Sequence, residues 1–477
     1  MTLPPVVKLP LRIKLGHGFG SVVYGVKDNG FSTLLMLFYN QALGLDAGMI
    51  GLILLIALLL DALIDPIVGY GSDKTHTRWG QRHPWIYAAI LPMALCWVMI
   101  WNPPSLKPNE LMLYLLLFAF LMRASVSCFE VPSLSIVPAL SADYDERTSI
   151  TRWRFLFAWA GGLVMLMLAF GVFLVPETGY PVGLLNVRGY NLFGISGAIL
   201  IVIAGLSSAL TTHRRLAHLQ DVPPTHLPLG ETLREMRRTL SNRPYLILLA
   251  STLFTYINLG MSFSIAIYAL TYFWEVPQSG FLAYSVTLFL GVVGAFFLIG
   301  FLQSRIEKRT GAVVTGIIAI SMSTVPYVLR FLGWFPENGT PALMPTLLIL
   351  VTISNAFAVC AAMLGQSMGS DVIEASQMET GKRSEGIFFA GYFFTQKCAT
   401  GVGLFITGRI ISLSGFPAKA KPGEVPAPIL DQLVLYYMIV LVLLGIGSVF
   451  AISRFSINRA DHEERLRQLA QKVDVAA

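Results

Sequence analysis

About twelve mainly apolar runs of roughly 20 residues recur along the chain, near 17–44, 47–71, 84–102, 109–140, 149–175, 190–212, 243–273, 280–303, 311–333, 340–365, 384–415 and 430–455. A run of that length is what an α-helix needs to cross a bilayer core ~30 Å thick. Within that layer the backbone must satisfy its own N–H and C=O groups, so continuous apolar runs read as spanning helices. The expected fold class is therefore an all-α polytopic membrane protein with about 12 transmembrane helices. Composition agrees: only 13% of residues are charged and the mean hydropathy is +0.66, against roughly 25% charged in a soluble domain. The first sixteen residues, "MTLPPVVKLPLRIKLG", have no compact apolar core or small-residue cleavage site, so no cleavable signal peptide is expected.

A net charge of +7 raises the question of nucleic acid, and the loops answer it. If the twelve runs span, one side of the membrane holds Lys8, Arg12 and Lys14, then Lys74, Arg78 and Arg82, then Arg147 and Arg152. The same side holds Arg214, Arg215, Arg234, Arg237, Arg238 and Arg243, then Arg305, Lys308 and Arg309, then Lys382 and Arg383, with five more from Arg454 onward. The other side holds Lys107, Arg188, Lys419 and Lys421, which makes 24 basic residues against 4. Cationic loops stay cytoplasmic, so both termini are expected in the cytoplasm, and no nucleic-acid partner is needed. Cys96, Cys128, Cys360 and Cys398 lie in or beside apolar runs without CxxC spacing, which suggests neither a zinc site nor a disulfide framework. "NGT" at Asn338–Thr340 fits a glycosylation acceptor triplet, a pattern common by chance.

The longest connection between runs contains "VPPTHLPLG" and "ETLREMRRTLSN", with Leu233, Met236 and Leu240 on one helical face. It is expected to be a linker with an amphipathic helix on the membrane surface, or a plain solvated helix. The chain then divides into a six-helix bundle over 1–212, a linker over 213–242, a second bundle over 243–455 and a tail over 456–477. The two halves echo each other weakly: "GYGSDKTHTRWGQR" follows the second run and "GFLQSRIEKRTG" the eighth. A repeat of this kind marks secondary transporters built from two bundles around a midplane site.

Charges inside the runs point to that site. Asp28, Asp61, Asp65 and Glu130 lie at membrane depth, and Lys27, Arg123, Arg154, Arg330, Lys397 and Arg409 lie within or at the edges of spans. Each central charge costs about 2.5–3.5 kcal/mol on insertion scales, and such groups persist where they pair, face a polar cavity or bind something. A set of purely stabilising ion pairs is the plainer reading, but buried pairs roughly break even against apolar replacements. Asp61 and Asp65 are four apart, so their carboxyls share a helix face. Two like charges that close need a shared proton or a cation between them, and either describes a coupling-ion site. Pro66 frees backbone carbonyls that could add oxygens.

"YGVKDNGF", "DALIDPIVGYGSD", "RWGQRHPW", "FEVPSLSIVPALSADYDERT" and "GKRSEGIFFAGYFFTQK" together resemble the glycoside–pentoside–hexuronide:cation symporters, the melibiose-permease branch of the major facilitator superfamily. The resemblance implies a major facilitator fold of two six-helix bundles. It implies that Asp61, Asp65 and Ser127 hold the cation, H+ or Na+. Asp28, preceded by Lys27, would contact solute hydroxyls, joined by Glu130 where the family carries aspartate and by an arginine of the fifth span. That arginine matches Arg154, with Arg152 left open by one residue of gap, and Lys397 matches the lysine of the eleventh span. Two departures matter. Ile64 stands where the permease has asparagine, which tilts the ion toward a proton, and Leu134 replaces a sugar-stacking tryptophan, which puts a galactoside in doubt.

The residues suggest a mechanism without the family. Asp28, Glu130 and Arg154 supply acceptors and forked donors suited to hydroxyl-rich solutes. Arg123, two turns before Glu130, is expected to neutralise it in the empty site, and Lys397 to do the same for Asp61 and Asp65. Cation binding would then raise solute affinity by about 1–3 kcal/mol, and Asp73, Arg78 and Arg82 would form a cytoplasmic gate. The expected function is cation-coupled symport of a glycoside or other polyhydroxylated solute by alternating access. A carrier of amphiphiles such as lysolipids is the alternative, given Leu134 and the "FFAGYFF" of the eleventh span. A membrane enzyme is disfavoured because all seven histidines lie in loops or near span ends, with no HExxH. No catalytic residue, resident metal or cofactor is expected. The partners are a small solute and membrane lipid, in a bacterial inner membrane, with one chain expected to suffice.

Overall fold

The computed structural model describes residues 9–141, 144–216, 242–303, 305–380 and 385–456, and among these the chain is almost wholly helical. It divides into two compact units, one of Met1–Thr225 with the short stretch Pro417–Lys421 and one of the remaining residues from His226 onward. Leu233, Met236 and Leu240 of the expected surface helix lie outside the described residues, as do Lys382, Arg383 and the tail from 457.

The first unit holds α1 (Leu11–Phe19), α2 (Val22–Asn29), α3 (Ala47–Lys74), α4 (His83–Trp101), α5 (Pro108–Leu140), α6 (Tyr144–Leu168) and α7 (Val187–Leu216). The second holds α8 (Arg243–Tyr268), α9 (Gln278–Gln303), α10 (Lys308–Phe331), α11 (Leu343–Thr380), α12 (Glu385–Leu413) and α13 (Ala427–Ser453). Ten of the spans are long and apolar enough to cross a membrane on their own sequence. The first and eleventh complete the expected twelve. The eleventh is α12, which carries Lys397 and Arg409 among its apolar residues.

The first span is α1 and α2 in series, continued through two π-helical turns, Gly30–Leu34 and Phe38–Ala42. Such turns mark functional positions in many helices, and here the first of them begins two residues after Asp28. By contrast α3 is continuous through Pro66, and the Asp46 carboxylate caps its start by accepting from the Met49 N–H at 2.8 Å. The tenth span overruns the expected end at 365, because α11 continues to Thr380.

Packing within the units follows one plan. In the first, α1 and α2 lie against α6 and α7, α3 against α5, and α4 against α5 and α7. In the second, α8 lies against α12 and α13, α9 against α11, and α10 against α11 and α13. Span for span the neighbours are the same, so the faint sequence echo between halves is a true structural repeat. Between helices in lipid, close approach depends on small residues. Gly25 of α2 and Gly162 of α6 meet in this way: a Cβ on Gly162 would lie 2.7 Å from the Gly25 carbonyl oxygen.

All four cysteines are free. The Asn338 amide donates to the Phe273 carbonyl at 3.0 Å.

Candidate functional site

One face of α5 organises the polar residues of the first unit. Arg123, Ser127, Glu130 and Ser133 are spaced four, three and three apart, so they rise along one stripe. Two clusters grow from it.

The lower cluster joins α5 to α3. Ser127 Oγ stands 2.8 Å from Asp61 Oδ1 and 2.6 Å from Asp65 Oδ1, so the aspartates expected to act as a pair do converge on one hydroxyl. Arg123 donates from Nη1 to Asp61 Oδ2 at 3.4 Å, and both side chains are 4% exposed. The guanidinium also lies 4.8 Å over the Phe31 ring, a cation–π contact. Arg123 therefore neutralises Asp61, not Glu130 as its spacing suggested. Seven residues separate Arg123 and Glu130 by about 10 Å along the axis, whereas the neighbouring helix presents Asp61 beside it.

The upper cluster joins α5 to α6 and α1. Arg154 Nη2 donates to Glu130 Oε1 at 2.6 Å, and Nη1 donates to Ser133 Oγ at 2.8 Å and to His17 Nε2 at 3.2 Å. Of the two arginines that the sequence leaves open, Arg154 is 5% exposed and joins this cluster, while Arg152 is exposed. Glu130 Oε2 and Arg123 Nε are buried and have no hydrogen-bond partner among the described residues. Burying a carboxylate oxygen without a donor is costly, and the hydroxyl of a bound solute would supply one.

Lys27 and Asp28 stand at the edge of these clusters on α2. Lys27 Nζ lies 3.7 Å from Asp28 Oδ1 and 4.3 Å over the Tyr24 ring, and the Asp28 side chain is 49% exposed. Sequence reasoning passed over Tyr24, which lies within electrostatic reach of Asp28, Glu130, Arg123 and Asp61. It also set aside His17 as a residue near a span end. His17 is 1% exposed and in the upper cluster. Its flanking residues, Gly16 and Gly18, give no polar signal, so only the three-dimensional contact reveals it. Leu134 is 47% exposed, and Ile64 lies partly exposed beside Asp65.

At the end of α3, Arg82 Nη2 lies 3.5 Å from Asp73 Oδ1, and both are partly exposed. Burial lowers the Arg82 pKa, and Asp73 pulls against that shift. Arg78 stacks 5.6 Å over its neighbour Trp79 without joining the Asp73–Arg82 pair. In the second unit Lys308 Nζ bonds both Asp371 oxygens, at 2.7 and 2.9 Å. Asp371 is 6% exposed, a buried acid missed because it lies beyond the expected end of the tenth span. Lys397, half-buried, lies midway along α12.

The family model for MFS/sugar transport protein matches residues 16–459. The chain is 24% identical to the inner membrane symporter YicJ of Escherichia coli over 97% of its own length and 95% of that protein's. It is 23% identical to the isoprimeverose transporter of Lactiplantibacillus pentosus, covering 81% of this chain and 77% of that one. Its fold matches the crystal structure of a D-xylose–proton symporter with a TM-score of 0.63 at 13% identity, covering 94% of this chain and 98% of that one. With the family model covering nearly the whole chain and the repeat of two six-helix units in place, this integral membrane protein is a transporter, not an enzyme, and it belongs to the MFS/sugar transport family of glycoside–pentoside–hexuronide:cation symporters.

Proposed function

We infer that the protein couples the entry of a proton to the uptake of a glycoside or related polyhydroxylated solute by alternating access. The observation that carries this reading is the shared stripe of α5. Ser127, which gathers Asp61 and Asp65, and Glu130, held by Arg154, are three residues apart, about 4.5 Å along the axis. An ion bound at one cluster thus acts on a solute bound at the other through a single rigid helix.

The chemistry of Ser127 supports a proton. A hydroxyl has one hydrogen to donate, yet Ser127 Oγ faces two carboxylate oxygens at 2.6 and 2.8 Å. A proton on one carboxyl makes both contacts favourable. Asp61 faces Arg123, and the coupling proton is proposed to be held by the Asp61–Ser127–Asp65 group as a whole. Sodium wants several oxygens, and Ile64 adds none. Glu130 Oε2, Asp28 and the Arg154 fork would bind solute hydroxyls, with Lys27 orienting Asp28. Lys397 would respond to the ion, and Asp73, Arg78 and Arg82 would gate the cytoplasmic end. The relatives' names support a bacterial inner membrane, and the basic loops support cytoplasmic termini. A single chain is the proposed working unit.

The test is accumulation in proteoliposomes under an imposed proton gradient, with sodium present or absent at fixed pH. The probes are isoprimeverose, methyl β-D-galactoside, phenyl β-D-glucuronide and lysophosphatidylcholine. The expected result is sodium-independent accumulation of a glycoside that collapses with a protonophore. Asp65→Asn is expected to abolish accumulation while leaving solute exchange. Accumulation of the lysolipid alone, or wild-type-like accumulation by Asp65→Asn, would overturn the reading.

A further inference from the structure

His17 has a role that the coupling scheme does not use. It sits on α1, buried between α6 and α7, with each ring nitrogen committed. Nε2 lies 3.2 Å from Arg154 Nη1 and Nδ1 lies 3.2 Å from Ser208 Oγ of α7. A guanidinium carries only donors, so Nε2 must accept and hold no proton. The neutral ring then carries its hydrogen on Nδ1 and donates to the Ser208 hydroxyl oxygen. The tautomer follows from the partner's chemistry alone.

The charged and titratable groups around the ring are few. Arg154 faces it from α6, and His83 of α4 lies within electrostatic reach. The His83 Nε2 is engaged with Thr212 Oγ1 of α7 at 3.0 Å. Glu130 of α5 lies beyond Arg154, which it holds at 2.6 Å. On α1 itself Lys14 is spent on Glu146 of α6 at 2.8 Å. No carboxylate contacts the His17 ring among the described residues, so nothing there offsets a second positive charge beside Arg154.

We propose that His17, as a neutral Nδ1–H ring, is a positioning residue for transport: it fixes the Arg154 fork against Glu130, and its protonation releases that fork. Protonation replaces the Nε2 lone pair with a donor aimed at a cation, so the bond to Arg154 becomes a repulsion. Arg154 then turns away, and Glu130 loses the donor that aims it. His17 thereby sets an acid limit on solute binding, separate from the coupling proton. This rests on the symport reading for its function but not for its geometry.

Two measurements test it on the full-length protein. The first is 15N NMR of ring-labelled histidine in lipid nanodiscs, with the His17 signals identified by their loss in His17→Gln. At pH 7.5 the His17 ring should be neutral with its hydrogen on Nδ1. An Nε2–H tautomer or a cation at that pH would overturn the proposal, whatever the protein transports. The second is equilibrium exchange of isoprimeverose at equal pH on both sides, which removes the driving force. Wild-type exchange should fall at acid pH through a raised KM. Gln, which accepts through its amide oxygen but does not titrate, should keep its neutral-pH KM at acid pH. Leu should raise KM about tenfold or more at every pH, the loss expected for a hydrogen bond to a charged group. Matching acid limbs in wild type and His17→Gln would overturn the proposal. If wild type accumulates none of the glycoside probes, the symport reading fails, and the tautomer measurement alone decides the position of His17.

Discussion

At the scale of single residues, the polar interior of the first unit is a set of mutual obligations. Arg123 and Asp61 are almost fully buried against one another. Removing one partner of such a pair leaves an uncompensated charge, at a cost of about 3–5 kcal/mol, whereas replacing both by apolar or neutral groups is often near neutral. Arg123→Leu is therefore expected to lower the thermal midpoint of the purified protein sharply, and Arg123→Leu with Asp61→Leu to recover most of it. A double variant as unstable as the single one would show that the pair does more than balance charge. The sequence marked every one of these acids, because an ionisable residue in an apolar run is conspicuous. It marked the basic residues too, but not correctly which acid Arg123 meets. Arg123 was paired with Glu130 by spacing along one helix, but the true partner sits on another helix, and helix-to-helix register is not written in local spacing. His17 was missed for a related reason: near the start of a span, a histidine reads as an interfacial residue until α6 brings Arg154 to it.

At the scale of elements, the first span is the least regular and the most confined. Its two helices and two π-helical turns run past α6 and α7 with glycine at the tightest contact. Gly162→Val would push α6 away from α2, since the Gly25 carbonyl lies within 2.7 Å of the new Cβ. Overpacking of this kind costs about 1–3 kcal/mol. The expected outcomes are a lower melting temperature and weakened solute binding, because the displaced helix carries Arg154. Gly162→Ala introduces the same Cβ and should already lower both, with Val at least as severe; an unchanged melting temperature in either variant would count against a steric cause. Helix positions were legible in the sequence wherever an apolar run was uninterrupted. The ends were less so, as α11 shows by running fifteen residues past its hydrophobic stretch. Polar helix beyond the lipid has no hydropathy signature and is held by contacts such as Lys308–Asp371.

At the scale of the whole molecule, the distribution of basic residues predicts orientation. The four native cysteines are buried or half-buried, so a cysteine placed in an exposed loop is the preferred target of a membrane-impermeant maleimide. Lys107→Cys should label in intact spheroplasts and Arg309→Cys only after permeabilisation; both positions are exposed. The reverse pattern would invert the topology. The repeat has its own consequence. Both halves follow the same neighbour plan, yet Asp28, Asp61, Asp65 and Glu130, the acids proposed to bear on ion and solute, all lie in the first. On that proposal one copy carries the electrostatic duty and the other does not. Substitutions in the second unit are therefore the ones that the proposed ion and solute chemistry of the first should tolerate best.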